Sequence, residues 1–218
     1  GWKRVLAARD RGADLIVVDP RETTSSKEAR THIQIRPGED WAFLLALVKI
    51  IVEAGWNRQP EVVPVNGLED VFALARNADL SWLSARCDVS EEQLRDVAER
   101  FAKARTAACV SHTGLAHSGT GTVGEWLSQL LNIITNRMDM PGGKRYERGF
   151  VDLPRAWEMM APKSKHHTRL RNLPTIAGFH ALGELADEIL TPGDGQIRAM
   201  LVCSGNPVVS GPDGDALD

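Results

Sequence analysis

The sequence predicts an α/β fold with a parallel sheet, and three observations carry that prediction. The run Leu15-Ile16-Val17-Val18 has the length and β-branched content of a fully buried parallel strand. It ends at Asp19-Pro20, where proline removes a donor and holds Asp19 extended. A second short strand, His32-Ile33-Gln34-Ile35, follows a Thr/Ser-rich turn and runs through Arg36-Pro37-Gly38-Glu39-Asp40 into a long apolar helix. Thr106 to Ser111 reads as a third short buried strand, followed by a polar glycine-rich loop and another helix. Two polar loops are thereby presented beside each other at one sheet edge, which is where α/β folds hold ligands.

Taken in order, Trp2 to Arg11 set Val5, Leu6 and Ala8 among basic residues, and Gly12 is a stop signal, so a helix feeds the first strand. Asp40 is placed to cap the next helix, WAFLLALVKIIVEAG, which is apolar nearly all round and ends at Gly55. Such a helix is expected to lie buried between other layers. Short helical pieces fill Trp56 to Leu83. Ser90-Glu91-Glu92-Gln93 is a capping box opening a helix with Leu94, Val97, Ala98 and Phe101 on one face. After HTGLAHSGTG comes a helix whose expected apolar face is Val123, Trp126, Leu127, Leu130 and Ile134.

From Met138 the periodicity fades into an irregular stretch rich in turn formers and charge, either a functional loop or a linker. A helix is expected from Phe179 to Leu190, then a turn at Pro192 to Gly195 and an apolar strand from Ile197 to Cys203. Ala216-Leu217-Asp218 reads as the start of a helix and Gly1 is not a methionine, so the chain is expected to be an excised fragment.

Composition narrows the function. With 218 residues, 43% hydrophobic and 25% charged, the chain has the make-up of an ordinary globular protein of one large or two small domains. A formal charge of -3 lacks the basic excess that electrostatic nucleic-acid binding needs, so no nucleic-acid partner is expected. The longest apolar run is broken by Lys49 and is too short to span a bilayer, and no signal peptide opens the sequence. A cytoplasmic location is expected, with a periplasmic one left open. Cys87, Cys109 and Cys203 have neither CxxC nor Cys/His spacing, so no disulfide framework, metal site or iron–sulfur site is expected within this segment.

Gly119-Thr120-Gly121-Thr122-Val123-Gly124 fits the G-x-G-x-x-G pattern of nicotinamide-binding proteins. Its context argues against that use, because His112 to Ser118 separate it from the preceding strand and no acidic residue ends a following strand at the usual distance. Read alone, Asp19 is a strand-end residue or an acid for a ribose hydroxyl, Asp40 a helix cap, and Arg21 and Arg36 surface arginines suited to stacking on a purine or pairing with phosphate. His166 and His167, with Lys163, Lys165, Arg169 and Arg171, form either a solvated basic loop or an electropositive rim.

Together, VVDPR, HIQIRPGED with its apolar helix, HTGLAHSGTG with MDMPGG, and SGNP follow the order found in molybdopterin oxidoreductases of the DMSO reductase and formate dehydrogenase type, which this chain resembles. The resemblance implies a Rossmann-like dinucleotide-binding domain over 1–147 and part of a second α/β domain over 148–218. It also implies a cofactor, two molybdopterin guanine dinucleotides holding molybdenum or tungsten. Asp19, Pro20, Arg21, Arg36, Gly38 and Asp40 become nucleotide contacts. Gly114, His117 and Gly119 become a backbone cradle for pyrophosphate, and Gly205, Asn206 and Pro207 a contact for the second dinucleotide. Arg148, followed by Gly149, matches an arginine lining the metal side of the pocket in formate dehydrogenase-like members and is the catalytic candidate.

In the resembling family the metal supplies two-electron redox chemistry on a small-molecule substrate while the protein supplies position and electrostatics. The metal-ligating residue, and the iron–sulfur segment of many members, would lie upstream of Gly1, so the isolated chain is expected to show no turnover. Electron-transfer subunits or an iron–sulfur domain are the implied partners. A rival keeps the fold without the chemistry: a cofactor-free structural domain, as in the large iron–sulfur subunit of respiratory NADH dehydrogenases.

Overall fold

A computed structural model describes residues 1–146, 166–175 and 179–218. Arg148, Lys163 and Lys165 lie outside the described residues. The chain divides into two compact units, Gly1–Tyr146 and Glu147–Asp218.

The first unit opens with α1 (Trp2–Asp10), β1 (Ile16–Val18), α2 (Thr24–Lys27) and β2 (Thr31–Ile33). β1 and β2 run parallel, with Ile16 opposite Thr31, Val17 opposite His32 and Val18 opposite Ile33. Parallel strands need a crossover. Here α2 makes it, closed by a capping box in which the Thr23 hydroxyl accepts from the Ser26 amide at 3.1 Å and the Ser26 hydroxyl accepts from the Thr23 amide at 2.7 Å. β1 is not the fully buried strand that its composition predicts. Ile16 and Val17 are half-buried and Val18 is exposed, because β2 alone pairs with it among the described residues.

The core of this unit is helical. α3 (Asp40–Glu53) runs through its centre, packed by α4 (Leu68–Asn77), α5 (Leu80–Cys87), α6 (Glu91–Lys103) and α8 (Gly121–Ile134). Residues Ala42 to Leu44 and Ala46 to Val52 are all buried, as an all-round apolar sequence demands, although the surrounding layers are helices more than sheet. Lys49 lies within that run at 7% exposure. Its ammonium group donates to Glu53 at 2.5 Å and to the Arg76 carbonyl at 3.0 Å, so the buried charge is met by a carboxylate and the C-terminal end of α4.

α6 starts at the capping box read from the sequence: the Ser90 hydroxyl accepts from the Gln93 amide at 3.2 Å and Gln93 Oε1 accepts from the Ser90 amide at 3.3 Å. Its far end is held by Arg137, which is 4% exposed and donates to the carbonyls of Phe101, Ala102 and Ala104. The guanidinium also lies 5.0 Å from the Phe101 ring centroid. Burial, and then Arg58 nearby, push the Arg137 pKa down.

Two expectations in this unit are corrected. Thr106 to Ser111 has alternating exposure, yet it is no strand; its backbone is met by a side chain, Asn132, which hydrogen-bonds both the amide and the carbonyl of Cys109. The apolar face of α8 is also rotated from the expected one. Val123 and Trp126 are 48% and 50% exposed, while Gly124, Leu127, Ser128, Leu131 and Asn132 turn inward with Leu130 and Ile134. The polar pair Ser128 and Asn132 is needed beneath Cys109, and that need sets the rotation.

The second unit is described by a 3₁₀ turn at Leu182–Glu184, α9 (Leu185–Leu190), α10 (Pro207–Ser210) and α11 (Gly214–Leu217). The helix expected from Phe179 is therefore shorter. The strand expected from Ile197 to Cys203 does not form among the described residues, and Leu201 is 89% exposed. A strand needs a neighbour for its amides, and no described segment supplies one. Of the basic residues read as a solvated loop or an electropositive rim, Arg169 pairs with Glu188 at 2.9 Å, and Arg171 pairs with Asp187 and lies 3.7 Å from Glu184.

Candidate functional site

Three loops of the first unit meet beyond the C-terminal ends of β1 and β2. The first begins at Asp19, whose carboxylate accepts from the Arg21 amide at 2.8 Å and whose own amide donates to the Ile33 carbonyl at 3.1 Å. This is an Asx turn anchored to the neighbouring strand. Two side chains, one from β2 and one just after it, hold this loop: His32 Nε2 donates to the Asp19 carbonyl at 2.9 Å, and Gln34 Nε2 to the Pro20 carbonyl at 3.1 Å. Pro20 and Arg21 are left exposed.

The second loop, Arg36 to Asp40, is tied to the end of α5 by the Arg36 amide, which donates to the Cys87 carbonyl at 2.9 Å. Gly38 has φ +81°, a left-handed conformation in which a side chain would be strained. The residue flanking α3 is Glu39, and Asp40 is the first helical residue, which corrects the expected Asp40 cap. Glu39 makes no capping bond because its carboxylate is used elsewhere: it accepts from Trp41 Nε1 at 2.9 Å and from Arg86 Nε at 2.9 Å, with Arg86 Nη2 2.9 Å from its other oxygen. Burial pushes the Asp40 pKa up against the pull of a backbone hydrogen bond, and the Asp19 and Glu39 carboxylates add to the rise. Asp19 and Asp40, from different loops, thus share one electrostatic site.

The third loop carries α7 (Thr113–Ala116) and ends at the start of α8. The Ser118 hydroxyl donates to the Leu115 carbonyl at 3.2 Å, and Thr120 Oγ1 donates to the Gly38 carbonyl at 3.3 Å. The Thr120 bond joins the third loop to the second across 82 residues. Gly114, His117 and Gly119 are exposed on this loop.

The arrangement leaves two guanidinium groups, Arg21 and Arg36, exposed and without an ion pair among the described residues, around two half-buried carboxylates. Guanidinium forks suit phosphate, and carboxylates suit hydroxyl or ring N–H donors. No group of three His, Cys, Asp or Glu side chains among the described residues could hold a metal ion. No described helix is long and apolar enough to cross a membrane.

Gly205, Asn206 and Pro207 belong to the second unit. There Asn206 Oδ1 accepts from the Val208 amide at 3.1 Å and Pro207 opens α10, so the motif forms a capped turn with Gly205 and Asn206 exposed. Arg148 lies outside the described residues. Sequence reasoning missed Glu39 and Arg86 as parts of the site, whereas Thr120 belongs to the loop pattern Gly114, His117, Gly119 and Thr120 read from the sequence. Glu39 stands inside a motif; Arg86 has no local signal because it arrives from another helix.

The site is therefore one in which loops from distant parts of an α/β chain are gathered at strand ends. No family model matches the sequence. The chain is 26% identical to the assimilatory nitrate reductase catalytic subunit of Bacillus subtilis, covering 96% of this chain and 32% of that protein. It is 23% identical to the F420-dependent formate dehydrogenase 1 subunit alpha of Methanococcus maripaludis, covering 97% and 33%, and 23% identical to the periplasmic nitrate reductase of Desulfovibrio desulfuricans, covering 93% and 30%. Among solved structures, acetylene hydratase from Pelobacter acetylenicus shares the fold with a TM-score of 0.56 and 21% identity, over 62% of this chain and 19% of that one. The chain is a homologue of the molybdopterin oxidoreductases of the DMSO reductase type, and it spans about a third of the length of the curated relatives it matches.

Proposed function

We propose that the three loops of the first unit hold the nucleotide end of a molybdopterin guanine dinucleotide, within an enzyme that carries out two-electron redox on a small substrate. The observation that carries this reading is the meeting of three sequence-distant loops, seen in the Thr120 bond to Gly38 and in the effect of Asp19 on Asp40. Arg21 and Arg36 pair with phosphate or stack on the purine, and Asp19 and Asp40 accept from ribose hydroxyls or ring N–H groups. The residues present fit such a group, since a half-buried carboxylate with a raised pKa gains most from a donor brought by a ligand. The backbone at Gly114 and Gly119 bears no side chain to obstruct an anion at the open start of α8.

On this reading Gly205, Asn206 and Pro207 serve a second dinucleotide, and Arg148 lines the substrate pocket. The bound molybdenum or tungsten supplies the redox step; the loops bind and orient the cofactor. Relatives named as nitrate reductase and formate dehydrogenase subunits support the oxidoreductase assignment, with formate dehydrogenase-like chemistry as the finer proposal. Relatives named as alpha subunits support electron-transfer partners. They do not favour the cofactor-free structural rival. A likeness to a hydratase is a reminder that one fold carries several chemistries. Metal analysis and pterin fluorescence on the protein purified from its native source test the proposal. Molybdenum or tungsten with a released guanine-containing pterin is expected, and a protein free of both would overturn it.

A further inference from the structure

We propose that the second unit holds a site for a primary alkylammonium ion, in a cavity walled by the 3₁₀ turn, α9 and Ile197, where two buried glutamates are left short of hydrogen-bond donors.

The cavity has a volume of about 130 Å³ and is lined by His180, Leu182, Glu184, Leu185, Glu188 and Ile197 together with Ala181. Ile197 is fixed to α9 by its amide, which donates to the Glu188 carbonyl at 3.2 Å. Glu184 and Glu188 are 1% and 6% exposed, and their spacing sets them on one face of the helix start. Both carboxylate oxygens of Glu184 and Oε1 of Glu188 are buried and meet no hydrogen-bond donor. Taking a carboxylate out of water is costly unless N–H or O–H groups replace the water it loses.

The neighbouring arginines do not supply those groups. Arg169 Nε donates to Glu188 Oε2 at 2.9 Å, while its Nη2 donates to the carbonyls of Glu188 at 3.4 Å and Thr191 at 2.9 Å. Arg171 is bonded to Asp187, and its Nε stands 3.7 Å from Glu184 Oε1, beyond hydrogen-bond reach. The carboxylates of Glu184, Asp187 and Glu188 thus meet only the guanidinium groups of Arg169 and Arg171, and one negative charge is left over.

The chemistry of the walls selects the occupant. A metal ion is disfavoured, because no group of three His, Cys, Asp or Glu side chains among the described residues could hold one. An ammonium group carries a single positive charge and three donors, which match the unbalanced charge and the three unpartnered oxygens. Its alkyl tail is suited to Leu182, Leu185 and Ile197. Size agrees with this, since an apolar cavity of about 150 Å³ takes benzene, and an amine of about four or five carbons is no larger. A free alkylamine and the side chain of a lysine share this chemistry.

The test follows methyl and amide shifts of the isotope-labelled 218-residue chain during titration with n-butylammonium chloride at constant ionic strength. Saturable shifts at Leu182, Leu185 and Ile197 are expected. n-Butanol, with the same tail and no charge, should bind at least about tenfold more weakly. Glu184→Gln should weaken the amine at least about tenfold and leave the response to butanol unchanged. Ile197→Phe keeps both carboxylates but fills the cavity, so it should abolish binding, and it decides the matter should Glu184→Gln fail to fold. Nα-acetyl-lysine amide separates the sources: binding like that of butylammonium assigns the site to a lysine side chain, and exclusion while butylammonium binds assigns it to a free amine. No saturable shift from the folded chain, equal affinity for butanol, or undiminished amine binding in Glu184→Gln or Ile197→Phe overturns the proposal.

Discussion

The side-chain amide of Asn132 closes both backbone hydrogen bonds of Cys109, donating to its carbonyl at 2.9 Å and accepting from its amide at 2.9 Å. A helix side chain thus stands in for a neighbouring strand. The same amide donates to the Ser128 carbonyl at 2.9 Å within α8, so every polar atom of a fully buried Asn132 is used.

Replacing Asn132 with Leu keeps the volume and leaves the Cys109 amide and carbonyl without partners. The expected loss is about 2–4 kcal/mol, from one or two buried unsatisfied groups. Urea denaturation of the variant checks it, and hydrogen exchange should speed up at Cys109 first.

Asp40 ties stability to pH. Its folded pKa is raised, so the protonated carboxyl is the form the fold prefers. The stability this contributes is fully present below the ordinary carboxylate pKa and is lost as pH rises through the raised folded value. Asp40→Asn should therefore raise the melting temperature at neutral pH, with the gain vanishing in acid, while weakening nucleotide binding at least about tenfold through a lost charge-assisted bond. Thermal melts at acidic and neutral pH read the sign directly.

Gly121 opens α8 where the third loop passes closest to it. A Cβ there would lie 2.5 Å from the Ala116 carbonyl oxygen, a backbone atom that cannot swing away. Gly121→Ala should cost about 1–3 kcal/mol by overpacking and push the third loop off the second. Calorimetry gives the loss, and amide shifts at Gly38 report the displaced Thr120 bond.

Much of this was legible in the sequence because local chemistry decided it. The all-round apolar run of α3, the Ser90 capping box, the Asp19-Pro20 turn and the loop before α3 all follow from residues within a few positions of one another. What was not legible came from distance. Thr106 to Ser111 has the alternation of a strand, but its partner is a side chain, and the inward Ser128 and Asn132 rotate α8 away from the face marked by Val123 and Trp126. Ile197 to Cys203 has strand composition without a described neighbour to pair with. Arg86 reaches Glu39 from 47 positions away, and no pattern in either segment announces it.

The central claim is that the loops at Asp19, Arg36 to Asp40, and Gly114 to Thr120 form one nucleotide site. A titration of the isotope-labelled chain with GDP, followed by amide chemical shifts, tests it most directly. The account predicts saturable shifts confined to these three loops, abolished by Arg36→Ala together with Asp40→Asn and reduced when GDP is replaced by inorganic phosphate. Shifts scattered elsewhere, or none from a folded chain at millimolar GDP, would contradict it.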